Sequence, residues 1–414
     1  MNTLRIGWRS IWRNKRRTAI TAAAVALNTA ILIVSYGLMD GMIVDTVHSV
    51  TNMLTGDAQL HAPGYRADRS FYKSVQNVDQ VLLAARQAGI DASPRSYGYG
   101  LVSVGHKSAG ARFWGIDPRL ERKVFGLAGQ MSAGEFISER REAAGDSETV
   151  GRDIVLGRKL AKSLHAVVGS EIVAVVQAGD GSLGNELFTV KGVLKSVGEE
   201  VDRAAAIIDK RDFEDLFVSK GRIHEVAFNA HGRLTPEQVV AALKPATAGM
   251  ELFSWKQLLP ALADMVNMFD AAIWIFGMIF FLAAGLGVMN TMLMATYERM
   301  REFGMLKAMG ATPWRIIRDV SAEALMLALF STAIGLAIGI GADVYFHAWG
   351  IDLSGLGGDV VFSGIAFNPI WRATITTTGV IAPVVVMWLV CLLAALWPAS
   401  KAARLDPVRA INHV

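Results

Sequence analysis

Residues 271–297 read AAIWIFGMIFFLAAGLGVMNTMLMATY, a run with no charged side chain. About 20 apolar helical residues cross the hydrocarbon core of a bilayer, so this stretch is long enough to span one. Three further segments reach that length: Thr18–Met39, Ala322–Phe346 and Thr374–Trp397. Lys and Arg gather on the cytoplasmic flanks of membrane helices. Arg5, Arg9, Arg13, Lys15, Arg16 and Arg17 precede the first segment. Arg299, Arg301, Lys307, Arg315 and Arg318 lie between the second and third, and Lys401, Arg404 and Arg409 follow the fourth. The opposite flanks carry only Lys256 and Arg372. The expectation is a four-helix membrane protein with both termini in the cytoplasm.

That topology puts residues 40–268 outside the membrane, enough chain to bury a core of its own. Strand-like stretches (Gly169–Ala178, Glu186–Val197, Ala204–Asp209, His224–Ala230) alternate with helix-like ones (Val75–Ala88, Arg152–Leu164, Lys210–Val218, Thr235–Leu243, Ser254–Ala263), which predicts an α+β extracytoplasmic domain. Thr235-Pro236-Glu237 supplies an N-cap, a first-position Pro and a first-turn acid. The polar stretch Glu135–Val150 reads as a loop. Residues 347–373 form a short external loop, 298–321 a cytoplasmic loop and 398–414 a cytoplasmic tail. Within residues 1–17, Leu4, Trp8, Ile11 and Trp12 share one helical face, with arginines on the other, which suits a helix lying in the membrane interface.

The net charge of +4 sits beside the membrane. It reads as attachment to anionic membrane lipid rather than nucleic-acid binding, because no basic stripe interleaves with aromatics. Cys391, the single cysteine, lies in the fourth segment, so the external domain is expected to have no disulfide and no Cys-ligated metal. No G-x-x-x-x-G-K-[ST] loop occurs. Leu353-Ser-Gly-Leu-Gly-Gly358 superficially suggests an ATPase signature loop but lies in the external loop, and His224-Glu225 lacks the second histidine of a zinc helix. No catalytic residue, metal site or cofactor is expected in this chain. Asn28, Asn290, Thr291 and Asp343 are the notable polar residues within the spans; against a substrate or proton path, Asn28 and Asn290 read as helix-to-helix hydrogen bonders, and Asp343 as reaching the outer interface. Gly335 and Gly339 form a G-x-x-x-G pair for close helix packing. Gly277 and Gly285, with Ala22, Ala23 and Ala26, are expected to let two copies approach through the first two segments.

The cytoplasmic loop carries the most specific pattern. Met300, Phe303, Leu306 and Met309 follow a helical stripe, Gly310 supplies a stop, and Thr312-Pro313 restart a helix. A short helix with an exposed apolar stripe suits docking into a groove on a partner. The stretch Arg301-Glu302-Phe303-Gly304-Met305-Leu306-Lys307-Ala308-Met309-Gly310-Ala311 resembles the R-E-[IF]-G-x-[LM]-[KR]-A-x-G-A signature of the MacB/FtsX-like ABC transporter permeases. Pro398-Ala399-x-x-Ala402-Ala403 through Pro407-x-x-Ala410-Ile411 is similar to the ending of that family, and Gly157 through Glu171 is similar to part of its external domain.

The resemblance implies a mechanotransmitting (type VII) permease. A cytoplasmic ABC ATPase dimer, which holds ATP and Mg, would drive two permease copies, or this chain and a paralogue, and the motion would reach the periplasmic domains. The expected coupling residues are Met300, Arg301, Glu302, Phe303, Gly304, Leu306, Lys307, Met309 and Gly310. About 18 residues ahead of the first span leave, on this reading, no room for a fused ATPase. The expected location is a bacterial inner membrane. Lipoprotein release, with a periplasmic carrier, ranks first by layout. Efflux of drugs or peptides through a periplasmic adaptor, regulation of cell-wall hydrolases, and a membrane sensor or scaffold without transport stand as alternatives.

Overall fold

Four helices long and apolar enough to cross a membrane are present: Lys15–Val50, Pro260–Glu298, Pro313–Trp349 and Thr377–Ala403. The computed structural model describes residues 15–139, 152–352, 361–362, 365–366 and 370–404. The interfacial Leu4–Trp12 face, most of the Glu135–Val150 loop, the Leu353–Gly358 turn and the tail from Leu405 therefore lie outside the described residues. The chain divides into two compact units, the membrane helices and Asp45–Asp264.

All four membrane helices contribute to one apolar cluster. Val25 and Leu32 come from the first helix, Phe281 and Val288 from the second, Leu327 from the third, and Met387 and Cys391 from the fourth. The outward positions are just as apolar: Leu27, Trp274, Leu282 and Leu393 are each about 60% exposed. Only a lipid solvent makes that arrangement favourable, and in lipid close packing rather than burial must hold the helices together. Two polar contacts help: Thr21 Oγ1 meets Thr291 Oγ1 at 2.8 Å, and Trp388 Nε1 donates to Thr332 Oγ1 at 2.8 Å.

The external unit is built on ten described strands: β1 (Ala58–His61), β2 (Asp91–Val104), β3 (Lys107–Ile116), β4 (Met131–Gly134), β5 (Asp153–Leu156), β6 (Glu171–Gln177), β7 (Leu183–Leu194), β8 (Ala205–Asp209), β9 (Glu225–Asn229) and β10 (Glu251–Ser254). Their order is β10-β1-β9-β2-β3-β8-β5-β7-β4, and β6 pairs with both β2 and β7. Pairing therefore closes on itself through β2, β3, β8, β5, β7 and β6. A closed ring leaves none of those six strands as a free edge. On one side Phe113, Ile154, Leu156, Ala206 and Ile208 pack around Phe188, Phe213 and Phe217. On the other, the alternating residues Trp114, Val155, Ala205 and Ile207 join Tyr97, Leu127 and Ile137. Both faces are covered, so β8 reads as a continuous apolar run. A third cluster, including Leu60, Phe228 and Val239, lies against the β1–β9 sheet.

The long β2–β3 hairpin is absent from the sequence expectations, because Pro94, Gly98, Gly100, Gly110 and Gly115 break the strand pattern. Two of these glycines make room for aromatic rings. A Cβ on Gly98 would come within 2.3 Å of the Phe217 ring, and one on Gly115 within 2.5 Å of Phe213. The expected helix Arg152–Leu164 is corrected to strand β5 followed by a helix at Arg158–Leu164. Ile154, Val155 and Leu156 have both sheet faces to fill, and that outweighs helical periodicity. The expected helix Ser254–Ala263 likewise becomes the end of β10, a short turn of helix at Trp255–Leu258, and the start of the second membrane helix at Pro260. At Thr235 the capping box forms, with Gln238 N donating to Thr235 Oγ1 at 3.3 Å and Gln238 Oε1 accepting from Thr235 N at 2.9 Å.

Two features matter below. The chain enters the domain at β1 and leaves at β10, and these strands pair antiparallel with Ala58 opposite Ser254. Arg95 is 1% exposed. It donates to Glu121 Oε1 at 2.6 Å, Glu225 Oε1 at 3.1 Å and the Leu54 carbonyl at 2.7 Å. Ser93 and Tyr97 complete this network through Glu121 and Glu225. Burial opposes the charge of Arg95, but the Glu121 and Glu225 carboxylates outweigh it and raise its pKa.

Candidate ATPase-coupling site

The second membrane helix ends at Glu298, and the chain bends at Arg299 before a nine-residue helix, Met300–Ala308. Arg299 fixes the bend. Its guanidinium pairs with Glu302 and Glu323, each at 2.9 Å, and lies 5.3 Å from the Phe303 ring centroid. Gly310 ends the helix at φ +89°, a left-handed value that favours glycine, and Ala311 N reaches back to the Leu306 carbonyl at 3.0 Å. Thr312 holds the N-cap position of the third membrane helix, with Pro313 first, but its side chain makes no capping hydrogen bond.

The apolar stripe does not face outward as one surface, which corrects the expectation of an exposed docking face on Phe303 and Leu306. Phe303 is 4% exposed and packs with Ile316 and Val320 of the third membrane helix and Ala399, Ala402 and Ala403 of the fourth, with Leu306 partly buried beside it. Both membrane helices bring small or apolar side chains to this spot, so the bulkiest residues of the short helix turn inward. Gly304 is also buried, Met300 and Glu302 are half-buried, and Lys307 is tied by its ammonium to the Ala403 carbonyl at 2.9 Å. The outward residues are Arg301, Met305, Met309 and Gly310, continued by Trp314, which is 71% exposed. Trp314 and Met305 are outside the expected set. A tryptophan just after the helix-starting Pro313, with nothing apolar to cover it, was the available signal for the first.

The packing glycines divide by what they touch. A Cβ on Gly335 would meet the Ala26 carbonyl at 2.6 Å, and one on Gly339 the Ile33 Cβ at 3.0 Å, so the G-x-x-x-G pair seats the third membrane helix on the first of the same chain. Gly285 faces Val390 at 3.0 Å, while a Cβ on Gly277 would make only ordinary contacts from 3.6 Å. Ala22 and Ala26 are buried within the chain, which corrects their expected use between copies, while Ala23 faces outward. Asn290 is exposed and Asn28 half-buried. Asp343 is 1% exposed, packed where a side chain on Gly37 would stand.

The MacB-like periplasmic core domain model matches residues 18–246, and the FtsX-like permease C-terminal model matches residues 274–407. The pyoverdine export ATP-binding/permease protein PvdT of Pseudomonas fluorescens (strain Pf0-1) is 24% identical over 433 residues, covering 100% of this chain and 59% of that protein. The permease YknZ of Bacillus subtilis (strain 168) is 33% identical over 132 residues, covering 32% of this chain and 28% of that one. The macrolide export ATP-binding/permease protein MacB of Nitrosomonas europaea is 22% identical, covering 99% and 59%. This chain thus spans about three fifths of the length of the full-length export proteins it matches. Among solved structures, the periplasmic region of MacB from Actinobacillus actinomycetemcomitans aligns with 53% of this chain and 97% of its own at 14% identity and a TM-score of 0.38. With one model covering the first membrane helix and external domain and the other the remaining membrane helices, the chain belongs to the MacB/FtsX-like ABC transporter permeases.

Proposed function

We propose that this chain is the permease subunit that carries the ATP-driven movement of a separate cytoplasmic ABC ATPase to its external domain. The observation that carries this reading is the short helix Met300–Ala308. Phe303, Arg299 and Lys307 lock it to the third and fourth membrane helices, while Arg301, Met305, Met309 and Trp314 stay free to engage a partner. A surface pinned in this way passes a push to the membrane helices instead of absorbing it. The Lys/Arg asymmetry of the flanks supports a cytoplasmic side for this surface and both termini. Reporter fusions at Thr312 should then read as cytoplasmic and at Arg233 as extracytoplasmic; the reverse at Arg233 overturns the topology.

For cargo, the family layout favours extraction of lipoproteins from the inner membrane, by two permease copies or a paralogous pair and a periplasmic carrier. Export of a small molecule or peptide through a periplasmic adaptor is the second reading, favoured by relatives whose names state macrolide and pyoverdine export. The coupling test is co-purification of the ABC ATPase that accompanies the wild-type chain. Replacing Met305, Met309 and Trp314 together by Ala should remove most of that binding, at about 1–3 kcal/mol for each well-buried anchor, with the permease still inserted and folded. Retained binding with undiminished ATP-dependent activity would make the surface a bystander.

A further inference from the structure

The external unit contains a cavity of about 750 Å³, bounded by the network around Arg95 and by Leu54 and Leu258 at the two chain connections. Ligand sites of small molecules fall in this size range, with apolar walls and a few placed polar groups. The walls here are Tyr97, Trp114, Val201 and the connection leucines, and five arginines line the space against three glutamates. The excess of positive charge has a definite location. Arg112 Nη1 and Arg69 Nη1 converge on the same oxygen, Glu200 Oε1, at 2.7 and 2.9 Å. Two guanidiniums on one carboxylate leave about one unit of positive charge over at that point. The Arg112 guanidinium carbon lies over the Tyr97 ring, 4.0 Å from its centroid, and its buried Nε has no acceptor among the described residues. Glu200 is on the short helix Glu199–Ala204, and its side chain is 59% exposed, so it can swing out to water.

We propose that this cavity binds a hydrophobic anion, with one carboxylate or phosphate held by Arg69 and Arg112 in place of Glu200 and an apolar body against Tyr97, Trp114 and the leucines. Planar guanidinium pairs recognise carboxylate and phosphate with two parallel hydrogen bonds, which a point charge cannot do. Glu200 occupies the place the ligand's anionic group would take and keeps two cations from facing each other bare. The proposal goes beyond the coupling reading and needs no ATPase.

The test is photo-crosslinking on the full chain in lipid nanodiscs without ATPase, with adducts mapped by mass spectrometry. Three probes are compared: a diazirine-bearing long-chain fatty acid, its methyl ester, and water-soluble 4-benzoylbenzoate. An acid should label peptides containing Tyr97, Trp114 or Val201, and the uncharged ester should not. Preference for the long acid identifies a membrane amphiphile as the source, and preference for the short one a dissolved anion. Replacing Arg69 and Arg112 by Ala should cut cavity labelling about tenfold, the loss expected when charge-assisted hydrogen bonds are removed. Glu200→Gln, which removes the competing carboxylate, should raise it. The idea fails if acid and ester label equally, if adducts fall only on the membrane helices, or if labelling survives the double change. Should the double variant not fold, Glu200→Gln decides: unchanged or reduced labelling overturns the proposal.

Discussion

The membrane helices and the external domain place charge in opposite ways. In the helices apolar residues cover the outside as well as the seam, and among the described residues ion pairs gather at one end, where Arg299 meets Glu302 and Glu323. In the external domain the apolar residues point inward and an arginine is buried among them, compensated by Glu121 and Glu225. The difference follows from the solvent. Lipid tolerates Leu282 and Leu393 on the outside but offers nothing to an unpaired charge, whereas water allows a buried charge if the protein supplies its partners. Arg95 therefore acts as a rivet, joining β2, β9, the helix bearing Glu121 and the chain connection at Leu54.

The contrast breaks most easily at that rivet. Arg95→Met leaves Glu121 and Glu225 buried without their cation, and the external domain should lose about 3–5 kcal/mol, seen as a lower unfolding midpoint. A change below 1 kcal/mol would mean that the network is incidental. Next comes the ion-paired end of the membrane helices. Phe303→Ala removes the ring beneath Arg299 and empties the contact with Ile316 and Ala399, which should cost about 3 kcal/mol and release the short helix. Enhanced proteolysis between Arg299 and Arg315 is the readout. Met309→Ala, at a position 75% exposed, is the matched control and should change neither.

Gly335→Leu tests whether close packing alone holds the lipid-facing unit together. The new side chain meets the Ala26 backbone, and a loss of about 1–3 kcal/mol is expected, read as reduced thermal stability in detergent. Unchanged stability would show that the first and third membrane helices can separate freely. The smallest effect is on pH. Burial holds His61 and His224 below the ordinary histidine pKa, so the unfolded chain binds more protons than the folded one. External-domain stability should be full above about pH 6.5 and fall as the pH drops below it. A midpoint that is flat or rises on acidification from pH 7.5 to 5.5 would mean that the fold does not disfavour protonation of the two rings.

The same contrast explains what the sequence discloses. A membrane helix announces itself by an unbroken apolar run, because all its faces meet apolar surroundings. The glycine-broken hairpin of β2 and β3 hides, because its pattern is set by rings on other elements, Phe213 and Phe217, that sequence spacing cannot see. The short helix Met300–Ala308 is legible as a helix with a glycine stop, since both depend on local backbone chemistry. Which face it presents is not, because Ala399 and Ala402, about a hundred positions away, decide that Phe303 turns in. The cavity arginines are scattered from Arg66 to Arg203 and share no motif; a charged residue amid apolar strand neighbours, such as Glu225, is the only trace.

The pairing of Ala58 with Ser254 gives the external domain a mechanical property. Its incoming and outgoing strands begin and end side by side, further tied by Trp255 N to the Asp57 carbonyl at 3.0 Å. A pull shared by both connections loads the whole sheet at once and displaces the domain as a body. Unequal pulls instead peel the β1–β10 ladder from its end, one residue pair at a time, a far weaker direction than sliding the strands lengthwise. The domain is thus stiff toward a pull shared by its two chain connections and compliant toward an unequal one.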